Sequence, residues 1–349
     1  MRFATRAMNA GLPPVGTPGA FLPGPTFAGT YVAPGDPATS TWTYGRFHNP
    51  TWAAWEAALA ELEGGPAVAF SSGMAAITAV LHAVLSPGDV IVLPSDSYYT
   101  TRLVVDGWFA KAGVAVRLAP TRGDAQGAVL DGARLLWLET PSNPFLETCD
   151  ITRLADLAHR AGALVAVDNT TATCALQQPL ALGADFSVAS DTKMLTGHGD
   201  LVLGHVAVAD PALKDRLVTI RTQMGAIPGP MEVWLAHRSL GTLGLRVERQ
   251  AENARRVVEF LRTRPGVTGL RYPGLGPVVS FELADRATAE RFLRALRVVR
   301  EATSFGGIHS TAERRARWGG DPVSDGFIRF SVGCEDPDDL IEDLAQALP

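Results

Sequence analysis

Lys193 stands in Ser190-Asp191-Thr192-Lys193-Met194-Leu195, between an apolar run and a glycine-bearing turn. Only three of the 31 basic residues are lysines, the others being Lys111 and Lys214 in polar, helix-end settings. An amine can shed its proton, attack a carbonyl and hold it as a Schiff base; a guanidinium stays charged and cannot. A lysine kept where arginine is otherwise preferred points to amine chemistry, with an ordinary ion-pairing lysine as the alternative. Other reactive types cluster at comparable places. Asp168 closes the run Leu164–Val167, and Glu139 and Asn143 follow Leu135–Leu138 in Glu139-Thr140-Pro141-Ser142-Asn143-Pro144. Ser71-Ser72-Gly73-Met74 links an apolar run to a helical pattern, which leaves backbone N–H groups free for an anion.

Elements able to position these residues are legible around them. Apolar runs at 67–70, 90–93, 114–118, 135–138, 164–167, 186–189 and 201–208 read as strands, and helical stretches at 74–85, 101–112 and 151–161 separate several of them. Continuous apolar strands alternating with helices predict a mostly parallel sheet covered on both faces, hence an α/β fold. Ligands in such folds sit outside the carboxyl ends of the strands, where Asp168, Glu139 and Lys193 fall. Upstream, residues 9–50 are rich in Gly, Pro and Thr and read as an extended arm, followed by a helix over 51–62 with Trp52, Trp55, Leu59 and Leu62 on one face. Residues 231–264 read as one long helical connection. A small α/β unit follows, with strands at 278–283 and 327–332 and helices at 287–296 and 338–348. The expected division is an arm over 1–50, a large domain over 51–230, and a linking helix with a small domain over 231–349.

Composition narrows the function classes. The chain has 349 residues, is 46% hydrophobic and 19% charged, and carries a net charge of -5, which suits a packed core and disfavours a nucleic-acid footprint. Glu313 to Arg317 is locally basic and reads as a solvated helix face. Cys149, Cys174 and Cys334 are far apart, so neither a disulfide framework nor a zinc cluster is expected. His198 and His309 lack the spacing of paired metal ligands and read as structural; no metal is expected. Arg2 and Arg6 run into Gly11-Leu12-Pro13-Pro14 without an apolar leader core, and the longest apolar stretch, 75–85, is too short to span a bilayer. A cytoplasmic location without membrane association is the expectation.

One ligand would use all of the chemical residues: a pyridine aldehyde with a phosphate. The lysine would hold the aldehyde, Asp168 would pair with the ring nitrogen, and the Ser72-Gly73-Met74 turn would take the phosphate. Tyr98 could cover the ring face. Singly, each has a plainer reading: Asp168 as a turn cap, Tyr98 as a core edge, the Ser-Ser-Gly turn as a helix start. A nucleotide-binding oxidoreductase would need G-x-G-x-x-G after the first strand, which 70–74 lacks, and the P-loop, G-x-S-x-G and H-E-x-x-H patterns are also missing.

Together these residues resemble the Cys/Met-metabolism family of pyridoxal-phosphate enzymes, over about 43–348. Ser190-x-Thr192-Lys193-x-Leu195-x-Gly197-His198-x-Asp200 resembles its cofactor-lysine signature, and Tyr44-x-Arg46-x-x-Asn49-Pro50-Thr51 its segment that reaches a neighbouring subunit's cofactor. Glu139–Pro144, Val167-Asp168-Asn169-Thr170 and Arg329 in Ile328-Arg329-Phe330-Ser331 also match. Ala302-Thr303-Ser304-Phe305-Gly306-Gly307 is similar to short γ-lyases of actinobacterial type.

The resemblance implies an aminotransferase-like fold of type I and pyridoxal 5'-phosphate as cofactor. It implies Lys193, Tyr98 and Tyr44 as catalytic residues, with Ser72, Gly73, Met74, Asn143, Asp168, Thr170, Ser190, Thr192 and Arg46 completing the cofactor site. Arg329, Ser304, Glu139 and Asn143 would bind substrate. It further implies γ-elimination on cystathionine, with γ-replacement on an O-acyl-homoserine as the alternative, and a homo-oligomer, a tetramer built from dimers that share active sites. Three positions depart from the family: Tyr98-Tyr99-Thr100 replaces its Tyr-Gly-Gly, no Cys stands there as in methionine γ-lyases, and Thr303 stands where many γ-lyases have an acidic residue. Arg102 is a candidate for a distal substrate carboxylate.

Overall fold

The computed structural model describes residues 1–348. Seven strands form the larger sheet: β1 (Ala67–Phe70), β2 (Val90–Pro94), β3 (Ala115–Ala119), β4 (Leu135–Glu139), β5 (Leu164–Asp168), β6 (Phe186–Ala189) and β7 (Gly204–Val208). Their order is β1-β7-β6-β5-β4-β2-β3, with β7 antiparallel to both neighbours and the remaining pairs parallel. Parallel strands buried on both faces need continuous apolar sequence, and β1, β4, β6 and β7 are buried along their whole length. The expected strand over 201–208 begins only at Gly204, because the Leu203 N–H is taken by the Thr192 hydroxyl at 3.0 Å.

Helices α1 (Phe3–Asn9), α2 (Pro50–Glu63), α3 (Gly73–Val84), α4 (Tyr99–Val104, running on as a π-helical turn through Ala110), α5 (Ile151–Arg160), α6 (Thr173–Leu176) and α7 (Pro211–Met224) accompany this sheet. Helices α1, α6 and α7 are additions to the elements expected from the sequence. Helix α2 shows why its segment folds as it does. The Asn49 side chain caps the Thr51 N–H, Pro50 supplies a preset first turn, and Gly64 ends the helix at φ 81°. Its Trp52, Trp55, Leu59 and Leu62 are all buried, as the spacing predicted. Truncating Trp55 to Ala would cost about 3–5 kcal/mol.

The expected single helix over 231–264 is two: α8 (Pro230–Leu240) and α9 (Leu243–Arg262), broken at Gly241 and Thr242. Helix α8 and the first half of α9 share a core with α1 and α2 through Val233, Ala236, Leu243 and Val247. The second half of α9 instead packs Val257, Val258 and Leu261 onto a second sheet. That sheet, ordered β10-β11-β12-β9-β8, comprises β8 (Thr268–Arg271), β9 (Val278–Glu282), β10 (Arg300–Glu301), β11 (Thr311–Arg314) and β12 (Phe327–Ser331). It is antiparallel except for β10 beside β11, and α10 (Arg286–Ala295) and α11 (Pro337–Ala347) cover it.

One expectation fails here. Glu313 to Arg317 is no solvated helix face: Glu313 and Arg314 end β11, and Glu313, Arg314 and Arg315 are all buried. Their charges are matched by Arg329, Asp325 and Asp321, which removes the need for solvent. Among the described residues no helix is long and apolar enough to cross a membrane.

Candidate active site

A cavity of about 420 Å³ opens where the carboxyl ends of β4, β5 and β6 face the second sheet. That size suits a cofactor with a small substrate. Ser72, Gly73, Met74, Tyr98, Glu139, Asn143, Asp168, Thr170, Ser190, Thr192, Lys193, Ser304 and Arg329 all line it.

Lys193 lies on the loop that leaves β6. Its Nζ donates to Ser304 Oγ at 2.8 Å and sits 5.5 Å from the centre of the Phe305 ring. Burial, then the Arg329 charge, lowers the amine to about 8, against a weaker upward pull from Glu313. Near neutrality this amine gives up its proton far more readily than a solvated lysine. Three sets of hydrogen bonds fix the loop beneath it. The Thr192 hydroxyl bonds both main-chain groups of Leu203, Thr196 Oγ1 donates to Asp191 O, and Arg246 donates to the Met194 and Leu195 carbonyls. Ser304 holds the left-handed conformation at φ 78°, a strained state for a non-glycine residue, and Gly306 leaves no room for a Cβ beside the Met194 backbone.

Asp168 ends β5, with Oδ1 accepting the Thr170 N–H at 3.0 Å. Beside it in register, Glu139 ends β4. Burial raises both carboxyls, and the facing Asp168 charge adds to burial in pushing Glu139 well above the usual range. Glu139 spends its two oxygens on main-chain donors, Tyr98 N and Asn143 N, each at 2.7 Å. It therefore holds the two loops that carry Tyr98 and Asn143.

At the opposite end, α3 begins at Gly73 with its first N–H groups lacking helical partners. A Cβ on Gly73 would lie 2.6 Å from the Ser190 side chain, and one on Gly204 would lie 2.6 Å from Gly73 N. Glycine at both positions lets main chain, rather than side chains, form this end of the cavity. A main-chain cradle, a carboxylate and an amine on three sides of one cavity fit a phosphorylated pyridine aldehyde.

The remaining wall is cationic. Arg329 on β12 donates to Asn143 Oδ1 at 2.8 Å and to Ser304 O at 3.0 Å, and pairs with Glu313 directly across the strand. Burial draws it down to about 10, so it remains charged at neutral pH. Glu313 Oε1 also takes Arg315 at 3.0 Å, and Arg315 in turn pairs with Asp321 at 2.5 Å. Arg315 and Trp318 line the cavity. The sequence reading had placed Arg315 and Glu313 in a solvated run and did not consider Trp318 or Asp321. Glu313 stands on β11 but Arg315 falls just past its end, in a 3₁₀ turn, so no strand alternation marks the pair.

Other expected residues lie elsewhere. Arg102 donates to the Ser97 and Gly320 carbonyls at 3.1 and 3.2 Å and does not line the cavity. Tyr44 and Arg46 sit in a separate concavity with Phe27, Gly29, Asn49 and Trp52, where Arg46 donates to Thr222 O at 2.9 Å. Within one chain they do not meet Lys193. His198 bonds the Thr196 carbonyl at 2.6 Å, and His309 is exposed.

Comparisons with known proteins agree with this geometry. Residues 25–349 match the family model described as Cys/Met metabolism PLP-dependent enzyme. A Streptomyces coelicolor protein named "Putative cystathionine gamma-lyase" is 56% identical over 365 residues, covering 99% of this chain and 93% of the relative. The cystathionine gamma-synthase of Mycobacterium tuberculosis (strain H37Rv) is 41% identical over 375 residues, covering 99% of this chain and 96% of that protein. The solved structure of metB from Corynebacterium glutamicum superposes with a TM-score of 0.96 at 33% identity, covering 100% of this chain and 98% of the other. With cavity, lysine and full-length likeness in agreement, the chain belongs to the family of pyridoxal-phosphate-dependent enzymes of Cys/Met metabolism, and pyridoxal phosphate is its expected cofactor.

Proposed function

We propose that the chain catalyses γ-elimination on a sulfur amino acid: L-cystathionine and one water give L-cysteine, 2-oxobutyrate and ammonia. The carrying observation is a lysine lowered to about 8 and a buried arginine converging on one cavity through the Ser304 residue, which each of them hydrogen-bonds. The name of the Streptomyces coelicolor relative supports elimination.

In this reading Lys193 would hold the cofactor aldehyde and Asp168 would pair with the ring nitrogen, whose positive charge would offset the burial that raises this carboxyl. Ser72, Gly73, Met74, Ser190 and Thr192 would hold the phosphate. Thr170 would steady Asp168, and Tyr98, which lines the same cavity, would cover the ring. When bound, pyridoxal phosphate supplies an electron sink for the charge left at the substrate α carbon. Arg329 takes the α-carboxylate in its planar fork, with Asn143 and Ser304 fixing that fork. The Lys193 amine, freed once the substrate amine has taken its place, would remove the α proton and, after giving that proton up to the electron sink, a β proton. The Tyr98 hydroxyl, or Tyr44 from a neighbouring subunit, gives a proton to the departing sulfur. Glu139 acts through Tyr98 and Asn143.

A second reading is γ-replacement on an O-acyl-homoserine, favoured by the name of the Mycobacterium tuberculosis relative. One assay separates the two. Elimination predicts 2-oxobutyrate and cysteine from cystathionine alone. A preparation that is inert with cystathionine but forms it from O-succinyl-homoserine and cysteine would overturn the first reading.

The exposed Tyr44, Phe27 and Phe47 and the placement of Arg46 support assembly into at least a dimer, with this segment completing a neighbour's site. A fully active monomer in sedimentation would contradict it.

A further inference from the structure

Behind the cavity, three buried titratable residues meet without lining it: Glu63 at the end of α2, His205 on β7 and Asp191 on the lysine loop. His205 Nδ1 lies 2.5 Å from Asp191 Oδ1, and Nε2 lies 3.1 Å from Glu63 Oε1. An ionised carboxylate only accepts, so the ring can serve both neighbours only by donating from both nitrogens, as an imidazolium. Burial opposes that charge and also raises the Asp191 carboxyl against the pull of His205, but at the ring the Asp191 and Glu63 carboxylates outweigh it and raise His205 to about 10. The buried Cys174 thiol beside them is pushed up by burial and by the same two carboxylates, and so stays neutral.

The placement of the three residues matters more than their charge. Asp191 is two residues before Lys193, and its carbonyl accepts both Thr196 N and Thr196 Oγ1, closing the loop on which the lysine stands. His205 adjoins Gly204, whose backbone is in contact with Ser72 and Gly73 at the start of α3. One imidazole thus ties the lysine loop to the strand that backs the main-chain cradle, with Glu63 buttressing it from α2.

We propose that His205 is a positioning residue that sets the separation between Lys193 and the Ser72–Gly73 cradle, the two ends of the cofactor site. This rests on the cofactor placement proposed above. A ligand anchored at both ends senses that separation; a ligand anchored at one end does not.

The test uses full-length protein freed of cofactor and titrated with three probes. All three carry the ring that Asp168 and Tyr98 would meet; beyond it, pyridoxal phosphate can use both ends, pyridoxal only the lysine, and pyridoxine 5'-phosphate only the cradle. For His205→Leu the expected result is affinity for pyridoxal phosphate weakened about tenfold, with both single-ended probes within about twofold of the parent. Where His205→Leu does not fold, Asp191→Asn keeps the shape and the Glu63 pair, and a selective loss of about threefold is expected. Unchanged pyridoxal phosphate affinity, or an equal fall for all three probes, overturns the proposal. Parent protein that binds no aldehyde at all would instead reject the Lys193 placement, before any variant is compared.

Discussion

The floor and the far wall of the cavity are built on different principles. The floor residues Glu139 and Asp168 end adjacent parallel strands β4 and β5, and the lysine loop leaves β6 beside them. Topology alone brings them together. The wall, Arg329 with Glu313, Arg315 and Asp321, lies on and after antiparallel strands of the other sheet, held by mutual charge pairing under near-complete burial. Asp168 and Glu139 keep their places through main-chain donors, whereas every wall residue also pairs with a partner of opposite sign. A floor substitution should therefore remove chemistry while leaving the fold, and a wall substitution should cost stability as well.

The sharpest case on the floor is Lys193→Ala. Loss of the proton-transferring amine should lower turnover at least about 10³-fold, read as 2-oxo-acid release, with an unchanged melting curve. Its counterpart on the wall is Glu313→Ala, which leaves Arg329 a buried cation without its carboxylate and Arg315 with Asp321 alone. Unfolding in denaturant should show a loss of about 3–5 kcal/mol, and a loss below about 1 kcal/mol would break the contrast. Returning to the floor, Asp168→Asn keeps the shape and removes the charge; turnover should fall about 10²-fold while stability holds or rises, since burial disfavours that carboxylate. The two regions couple through Arg329. In cofactor-free Arg329→Gln the Lys193 amine should titrate above its present value of about 8, because a cation that lowers it is gone and Glu313 still raises it. The pH dependence of amine acylation at Lys193 reads this directly. The smallest effect belongs to Arg317→Ala at the partly exposed rim, worth under about 1 kcal/mol in thermal unfolding.

The same contrast explains what could be read in the sequence. The strands of the larger sheet announce themselves as short apolar runs, and Asp168, Glu139 and Lys193 are visible because each follows one. Arg329 was found only through its family likeness. Glu313-Arg314-Arg315 defeats composition, since a charge run usually faces water; here the partners Asp321 and Asp325 come from a later loop, and Arg329 from the next strand. Helix α9 was extended backward through Gly241 because α8 and α9 share one helical period on either side of the break. Helix α7 passed unread because most of its surface is solvated, with only Leu217 and Arg221 buried. His205 carried no motif at all; its two carboxylates lie on α2 and on the lysine loop, and only the folded chain brings the three together.

The central claim is that the amine at position 193 holds the cofactor. The purified protein should be incubated with pyridoxal phosphate, reduced with borohydride, digested and analysed by mass spectrometry. The account predicts a phosphopyridoxyl group on the peptide containing Lys193 and none on those containing Lys111 or Lys214. An unmodified Lys193 peptide, or label spread equally over the three lysines, would contradict it.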